Sequence, residues 1–264
     1  MRSLLLLFLC ASTVVAADTR PNILFILTDD QDVVMSTTTS EVMPQLYSLI
    51  ASQGINMTNT WATTPVCCPS RSSFITGRYI HSINVVNNTV EGNCSSPAFL
   101  NGPNQNNIGK LMNDAGYNTL YTGKWLNQYG FGNAPNNLET VPPGWDKWMT
   151  LQGNSRYYNY QVSDDGVAVK HGSDYLADYF TDLVSNTTID FILNSTDDKP
   201  FFAVAAPPAC HDPTDPAPQH AGKFSGRKAP RLPSYGGGFS SDRNWFVRTY
   251  GALGMPEDRQ DVTD

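Results

Sequence analysis

The chain has 264 residues, a formal net charge of -7 and 40% hydrophobic residues. This length supports one large core, and the acidic balance argues against non-specific binding to nucleic acid or to membrane surfaces. Residues 1–17 read as a signal peptide: Arg2 supplies the positive end, Leu4 to Cys10 the apolar run, and Val14-Val15-Ala16-Ala17 the small residues for cleavage. A signal anchor is the alternative, but the run is short for a span, and no later stretch is long and apolar enough to cross a bilayer. Sequons at Asn56, Asn87, Asn93, Asn186 and Asn194 suit a secreted chain and are expected N-glycosylation positions.

Residues 22–27 form a continuous apolar run ending in Thr28-Asp29-Asp30, the pattern of a strand buried on both faces of a parallel sheet. Residues 31–40 read as a polar loop, and Pro44 opens a helix over 43–53 that Gly54 ends. Residues 55–62 are expected to form a second strand. Residues 80–107 read as a long ordered loop, 108–115 as a short helix closed by Gly116, and 117–123 as a strand ending at Lys124. Residues 127–165, rich in Gly, Pro, Asn and aromatics, are expected to wrap the surface. Ser173 is expected to cap a helix over 174–193 with Leu176, Tyr179, Phe180, Leu183 and Val184 on its apolar face. Residues 200–206 read as another buried strand, leading to Cys210-His211. A helix is expected over 243–253. Alternating strands and helices, with polar residues at strand ends, argue for α/β layering.

The stretch Cys67-Cys68-Pro69-Ser70-Arg71, continuing to Thr76-Gly77-Arg78, reads as a reactive side chain set just before a helix. Pro69 suits a first helical turn, and Gly77 can close the helix in a left-handed conformation. Cys67 would then face free backbone N–H groups and the positive end of the helix dipole, an anion site. Arg71 can present a guanidinium fork to the same tetrahedral oxyanion. On residues alone, Cys67-Cys68 also reads as a buried or disulfide-bonded pair, Asp29-Asp30 as a solvated turn, Lys124 as a surface lysine and His211 as a structural histidine.

The same stretch closely resembles the type I sulfatase signature, Cys-x-Pro-x-Arg followed by Thr-Gly. Arg20-Pro21-Asn22-Ile23, Asp29-Asp30, residues 85–89, residues 91–95 and Gly123-Lys124-Trp125-Leu126-Asn127 resemble the N-acetylglucosamine-6-sulfatase and heparan endosulfatase branch. The resemblance implies an alkaline-phosphatase-like α/β fold, a central, largely parallel sheet between helical layers. It implies that a formylglycine-generating enzyme converts Cys67 to Cα-formylglycine, whose hydrate attacks sulfur with one hydroxyl and expels sulfate with the other. Asp29, Asp30 and the oxygen on residue 67 match ligands of a calcium ion, a hard cation that favours oxygen. Lys124 and Arg71 match residues that hold sulfate oxygens, and His211 matches one that protonates the leaving alcohol. The family often has His two residues after this Lys; Leu126 stands there, as in the glucosamine-6-sulfatase branch. With Cys67 set aside as the modified residue, Cys68 is expected to pair with Cys94, leaving Cys210 free or paired with a cysteine outside this chain.

The implied activity is hydrolysis of a sulfate ester on a sugar, with 6-sulfated N-acetylglucosamine of glycosaminoglycans favoured and an aryl sulfate possible as substrate. The implied location is the lysosome or the extracellular space. Nothing in 211–264 resembles the Asp-Asn pair that completes the family's metal site, so 18–264 are expected to be the N-terminal portion of a longer catalytic domain. The alternatives are a truncated, inactive sulfatase-like protein, a generic arylsulfatase, or a phosphodiester or phosphonate hydrolase using the same nucleophile.

Overall fold

The computed structural model describes residues 18–33, 36–196 and 198–228. The expected signal peptide at 1–17, with Cys10, and the expected helix at 243–253 lie outside the described residues.

In chain order the elements are β1 (Ile23–Ile26), α1 (Pro44–Leu46) running into a wider turn over Tyr47–Ala51, α2 (Cys67–Thr76), α3 (Ile80–Ile83), α4 (Pro97–Asn101), α5 (Ile108–Asp114), β2 (Asn118–Lys124), β3 (Lys147–Leu151), β4 (Gln161–Asp164), β5 (Val167–Lys170), α6 (Tyr175–Asp178), α7 (Phe180–Leu193) and β6 (Phe201–Ala206). Six strands make one sheet in the order β1-β6-β2-β3-β4-β5. β1, β6, β2 and β3 run parallel, and β4 and β5 are added antiparallel.

Side-chain alternation along the strands separates two cores. Tyr121 of β2, Trp148 of β3 and Phe202, Val204 and Ala206 of β6 face one side, with Ile75 of α2 and Trp125 and Trp145 packed among them. Leu120, Phe201 and Ala203 face the other, under Phe191 and Ile192 of α7. Helices therefore cover both faces, as parallel strands require. β2 and β6 approach so closely that a Cβ on Gly123, whose φ is 108°, would lie 2.0 Å from the Ala206 carbonyl oxygen. Only glycine meets both demands.

Five expectations need correction. β1 is an edge strand, with Leu24, Phe25 and Ile26 all more than a third exposed rather than buried on both faces. Its outer edge has no neighbour among the described residues, and Phe74 of α2 stacks on Phe25 at 4.5 Å. Residues 55–62 form no strand, and Ile55, Met57 and Trp61 are exposed; without a paired neighbour their backbone groups have no ladder to join. Residues 127–165 do not merely wrap the surface. They contain β3 and β4, with Trp148 and Leu151 fully buried. The expected single helix over 174–193 breaks at Tyr179, is capped by Asp174 rather than Ser173, and leaves Leu176 exposed. The loop expected over 80–107 is ordered but contains α3, α4 and two short 3₁₀ turns.

β6 sits between β1 and β2, so the chain leaves the carboxyl ends of β1 and β2 on either side of it. Such a reversal of strand order opens the crevice where α/β sheets bind ligands. The segments following β1 and β6 carry Asp29 and His211 into that crevice, and Lys124 is the last residue of β2.

Candidate active site

α2 starts at Cys67 itself, one residue earlier than expected, behind Val66, a β-branched residue held at φ 74°. It ends at Gly77 in the left-handed region, with the Gly77 N–H donating to Ser73 O at 2.8 Å. The first turn is not an open row of donors. The Cys68 N–H is taken by Asn88 Oδ1 at 2.8 Å, and Ser70 N–H already reaches Val66 O. Cys67 is half-buried and unpaired, and Cys210 is the other free thiol. Cys68 is bonded to Cys94, which clamps the start of α2 to the segment before α4.

Asp29 is the buried centre of the cluster. Its Oδ2 accepts from Lys124 Nζ at 2.5 Å and Ser155 Oγ at 2.9 Å, and its Oδ1 faces Arg71 Nη2 at 3.2 Å. Lys124 Nζ also donates to Ser155 Oγ at 3.2 Å. Burial pushes the Asp29 carboxyl up, but the charges of Arg71 and Lys124, with the Lys124 and Ser155 hydrogen bonds, outweigh it and hold it below the usual carboxylate range. Arg71 is not a free fork. Its Nη1 donates to Lys124 O at 2.7 Å, and the same carbonyl accepts from Tyr121 Oη at 2.8 Å.

Asp30 behaves differently from its neighbour. At φ 59° it turns outward, its side chain is 61% exposed, and Oδ2 lies 3.8 Å from His211 Nε2. His211 Nδ1 faces Asp212 O at 2.5 Å, and a carbonyl only accepts, so the proton belongs on Nδ1 and Nε2 faces Asp30. Tyr157 Oη donates to His211 O at 2.8 Å. The loops of Asp29 and His211 are tied by Asp29 N–H to Ala209 O and Cys210 N–H to Asp29 O. Ligand atoms of Asp29, Cys67 and His211 all lie within 4.8 Å of one another.

Cys67, Arg71, Lys124, His211 and Asp29 are thus assembled in one place from four segments of the chain. Asp30 reaches the group only through His211. Ser155, Asn88, Tyr121 and Tyr157 were not singled out by sequence reasoning. Ser155 carries no sequence signal, being a serine between Asn154 and Arg156 in a segment read as surface wrap. Among the sequons, Asn56, Asn87, Asn186 and Asn194 are exposed, while Asn93 is half-buried with Nδ2 donating to Asn84 O at 2.8 Å.

The family model described as Sulfatase matches residues 21–243. The N-acetylglucosamine-6-sulfatase of Homo sapiens is 39% identical over 236 residues, covering 89% of this chain and 42% of that protein. The extracellular sulfatase SULF-1 homolog of Drosophila melanogaster is also 39% identical over 236 residues, 88% of this chain and 20% of that one. A protein solved in complex with its substrate D-glucosamine-2-N,6-O-disulfate superimposes with a TM-score of 0.59 at 29% identity, covering 78% of this chain and 37% of the other. A putative sulfatase structure from Bacteroides fragilis gives a TM-score of 0.55 at 25% identity, over 73% and 44%. This chain spans less than half the length of each of these relatives.

Proposed function

The chain belongs to the sulfatase family, and from that premise we propose that it hydrolyses a sulfate ester on a sugar, with 6-sulfated N-acetylglucosamine the favoured substrate. The observation that carries this reading is the convergence of Cys67 with the buried Asp29–Lys124–Arg71 cluster and His211 at the start of α2.

Converted to Cα-formylglycine by a formylglycine-generating enzyme of the secretory pathway, residue 67 supplies a geminal diol, one hydroxyl to attack sulfur and a second to release sulfate. Arg71 and Lys124 lie beside it and carry the positive charge that a sulfuryl group needs on its non-bridging oxygens. His211 Nε2 faces Asp30 Oδ2 at 3.8 Å, and with the ring protonated on both nitrogens Nε2 is the one placed to hand a proton to the departing alcohol, Nδ1 being held by Asp212 O. Tyr121 and Tyr157 position Lys124 and His211 through their backbone carbonyls.

The donors suit a hard divalent cation in kind. Asp29 offers carboxylate oxygens, and residue 67, once oxidised, another oxygen close to it, whereas the Asp30 carboxylate turns outward towards His211 and would have to swing in to join them. Calcium takes six to eight oxygens, so these three residues would supply only part of its shell. Held there, the ion supplies positive charge at the sulfate oxygens. The Asp29 carboxylate is paired with both Arg71 and Lys124. The two carboxylates and two cations balance, so a divalent ion leaves the site net positive, as an anionic substrate requires.

Residues 1–17 act as a signal peptide and 18–264 as the N-terminal portion of a sulfatase catalytic domain in this reading, which places the protein in the lysosome or outside the cell. No helix among the described residues is long and apolar enough to cross a membrane. The test is sulfate release from N-acetylglucosamine-6-sulfate and from an aryl sulfate by protein made in a eukaryotic secretory system, beside its Cys67→Ala variant. The reading predicts release that the variant abolishes. Binding of the sulfated sugar without release, or release that survives in the variant, overturns it.

A further inference from the structure

Residue 67 is a cysteine as the chain is made, and its thiol has a different ligand chemistry from the oxygen that conversion would put there. Among the described residues, Asp29, Cys67 and His211 are the one set of three metal-ligating side chains whose donor atoms all lie within 4.8 Å of one another. A sulfur and an imidazole nitrogen do not suit calcium, which takes oxygen. With a carboxylate oxygen they are the donors of a tetrahedral zinc ion.

His211 is oriented as a metal ligand. Its Nδ1 faces Asp212 O at 2.5 Å, so Nδ1–H donates there and Nε2 keeps the lone pair; a carbonyl on one ring nitrogen is the usual way to fix a ligating histidine. Asp30 Oδ2 lies 3.8 Å from that Nε2. Ligands of one tetrahedral zinc ion stand roughly 3.3–3.6 Å apart, given bonds of about 2.0–2.3 Å, so Asp30 is placed to be the fourth donor. Asp29 Oδ2 is taken by Lys124 and Ser155, but Oδ1 has only the contact to Arg71 at 3.2 Å and is the oxygen left for a metal. The loops carrying Asp29, Asp30 and His211 are already tied, Asp29 N–H to Ala209 O at 3.0 Å and Cys210 N–H to Asp29 O at 2.9 Å. Closing the set around an ion asks for a shift of about 1 Å, and Cys67 and His211 have room for it. Cys67 is half-buried and the His211 side chain 17% exposed, which also gives the ion a way in. A Cys67 thiolate with Asp29 and Asp30 outweighs Arg71 and Lys124 by one negative charge, which favours a cation.

We propose that the unconverted, thiol form of this site binds one zinc ion through Cys67 Sγ, His211 Nε2, an Asp29 oxygen and Asp30. Binding forms a zinc–sulfur bond and releases the Cys67 proton to solvent, with no change of oxidation state. A chain that escapes conversion therefore holds its sulfur under zinc. The site belongs to the thiol, and it stands whether or not the converted protein hydrolyses sulfate esters.

The test uses the full chain from secretory cells that lack formylglycine-generating enzyme, with the Cys67 thiol verified by peptide mass. Zinc affinity is read by competition with a chromophoric chelator. Cobalt(II), a spectroscopic stand-in for zinc, reads the ligands: a thiolate gives a charge-transfer band in the near ultraviolet, and tetrahedral coordination gives intense visible bands. One equivalent is expected to bind with a thiolate band, and about a hundredfold excess of calcium is expected not to displace it. Cys67→Ser is expected to remove the band and weaken zinc binding about tenfold or more, and His211→Gln to weaken it by a similar factor. Cys210→Ser, which removes the neighbouring free thiol, is expected to change neither. With Cys68 bonded to Cys94, a band that survives Cys210→Ser comes from Cys67 even where Cys67→Ser fails to fold. Absence of a thiolate band in the parent chain, displacement by calcium, a band that survives Cys67→Ser, or one lost with Cys210→Ser overturns the zinc site. Sulfate release is measured on converted protein, so loss of the zinc site leaves the hydrolase reading in place, and absence of hydrolysis leaves the zinc site in place.

Discussion

Lys124→Met tests the ionic centre. Lys124 is fully buried and its Nζ is 2.5 Å from Asp29 Oδ2, while Asp29 is 4% exposed. Methionine fills nearly the same volume, so packing is largely kept and the change removes the charge. Asp29 would retain Arg71 at 3.2 Å and the Ser155 hydroxyl, one cation where there were two. Removing one partner of a buried ion pair destabilises by about 3–5 kcal/mol because the other charge stays buried without its partner. That is a large share of the roughly 5–15 kcal/mol that holds a domain folded, and at about 2–4 °C per kcal/mol it lowers the melting temperature by roughly 10 °C. Urea denaturation at neutral pH reads the loss. The double variant Asp29→Asn with Lys124→Met removes both charges and is expected to recover about 2 kcal/mol relative to the sum of the two single changes. A Lys124→Met protein within about 1 kcal/mol of the parent, or single effects that simply add, would refute the idea that Asp29 is held ionised by this pair.

Three further outcomes follow from the fold. Cys68 and Cys94 are 26 residues apart, so replacing both by Ser is expected to lower stability by about 3 kcal/mol, read as a shift in urea midpoint that reducing agent reproduces in the parent protein. Gly123→Ala sets a Cβ against the Ala206 carbonyl oxygen at an unfavourable φ; it is expected to destabilise by about 3 kcal/mol or more, and a folded variant with unchanged midpoint would contradict the β2–β6 approach. Burial raises the Tyr121 phenol from 10.0 to about 12. The unfolded chain therefore loses this proton first, and the stability that the neutral phenol contributes is full below about pH 10 and falls as pH rises towards 12, by about 2–3 kcal/mol. Urea midpoints followed through that window are expected to fall more steeply for the parent than for Tyr121→Phe.

The sheet was legible where the sequence carried one local signal. Residues 200–206 and 117–123 are apolar runs bounded by turn residues, and they became β6 and β2 almost residue for residue. The same logic failed for β1. An apolar run specifies a strand but not whether a neighbour covers it, and that depends on what stands beside Leu24, Phe25 and Ile26. β3 was hidden because Lys147-Trp148-Met149-Thr150-Leu151 lies between stretches rich in Gly, Asn and Tyr, and its burial comes from pairing with β2 and from the Trp148–Trp125 ring contact. In the site, the cysteine helix and its glycine end could be read from the residues themselves, whereas Asp29 and Lys124 read on their own as a solvated turn and a surface lysine, and only the family resemblance pointed to them. The division of labour within Asp29-Asp30 could not, because it depends on a backbone turn at Asp30 that sends the second carboxylate towards His211. Nor could Ser155, which becomes part of the site only because the segment after β3 passes behind Lys124.

The central claim is that Cys67 is the precursor of the nucleophile. The mass of the peptide containing residue 67, from protein made in a eukaryotic secretory system with active formylglycine-generating enzyme, tests it most directly. The account predicts a formylglycine aldehyde at Cys67, with Cys68 still bonded to Cys94. A Cys67 recovered as an intact thiol or in a disulfide, despite conversion of a control sulfatase in the same cells, would contradict it.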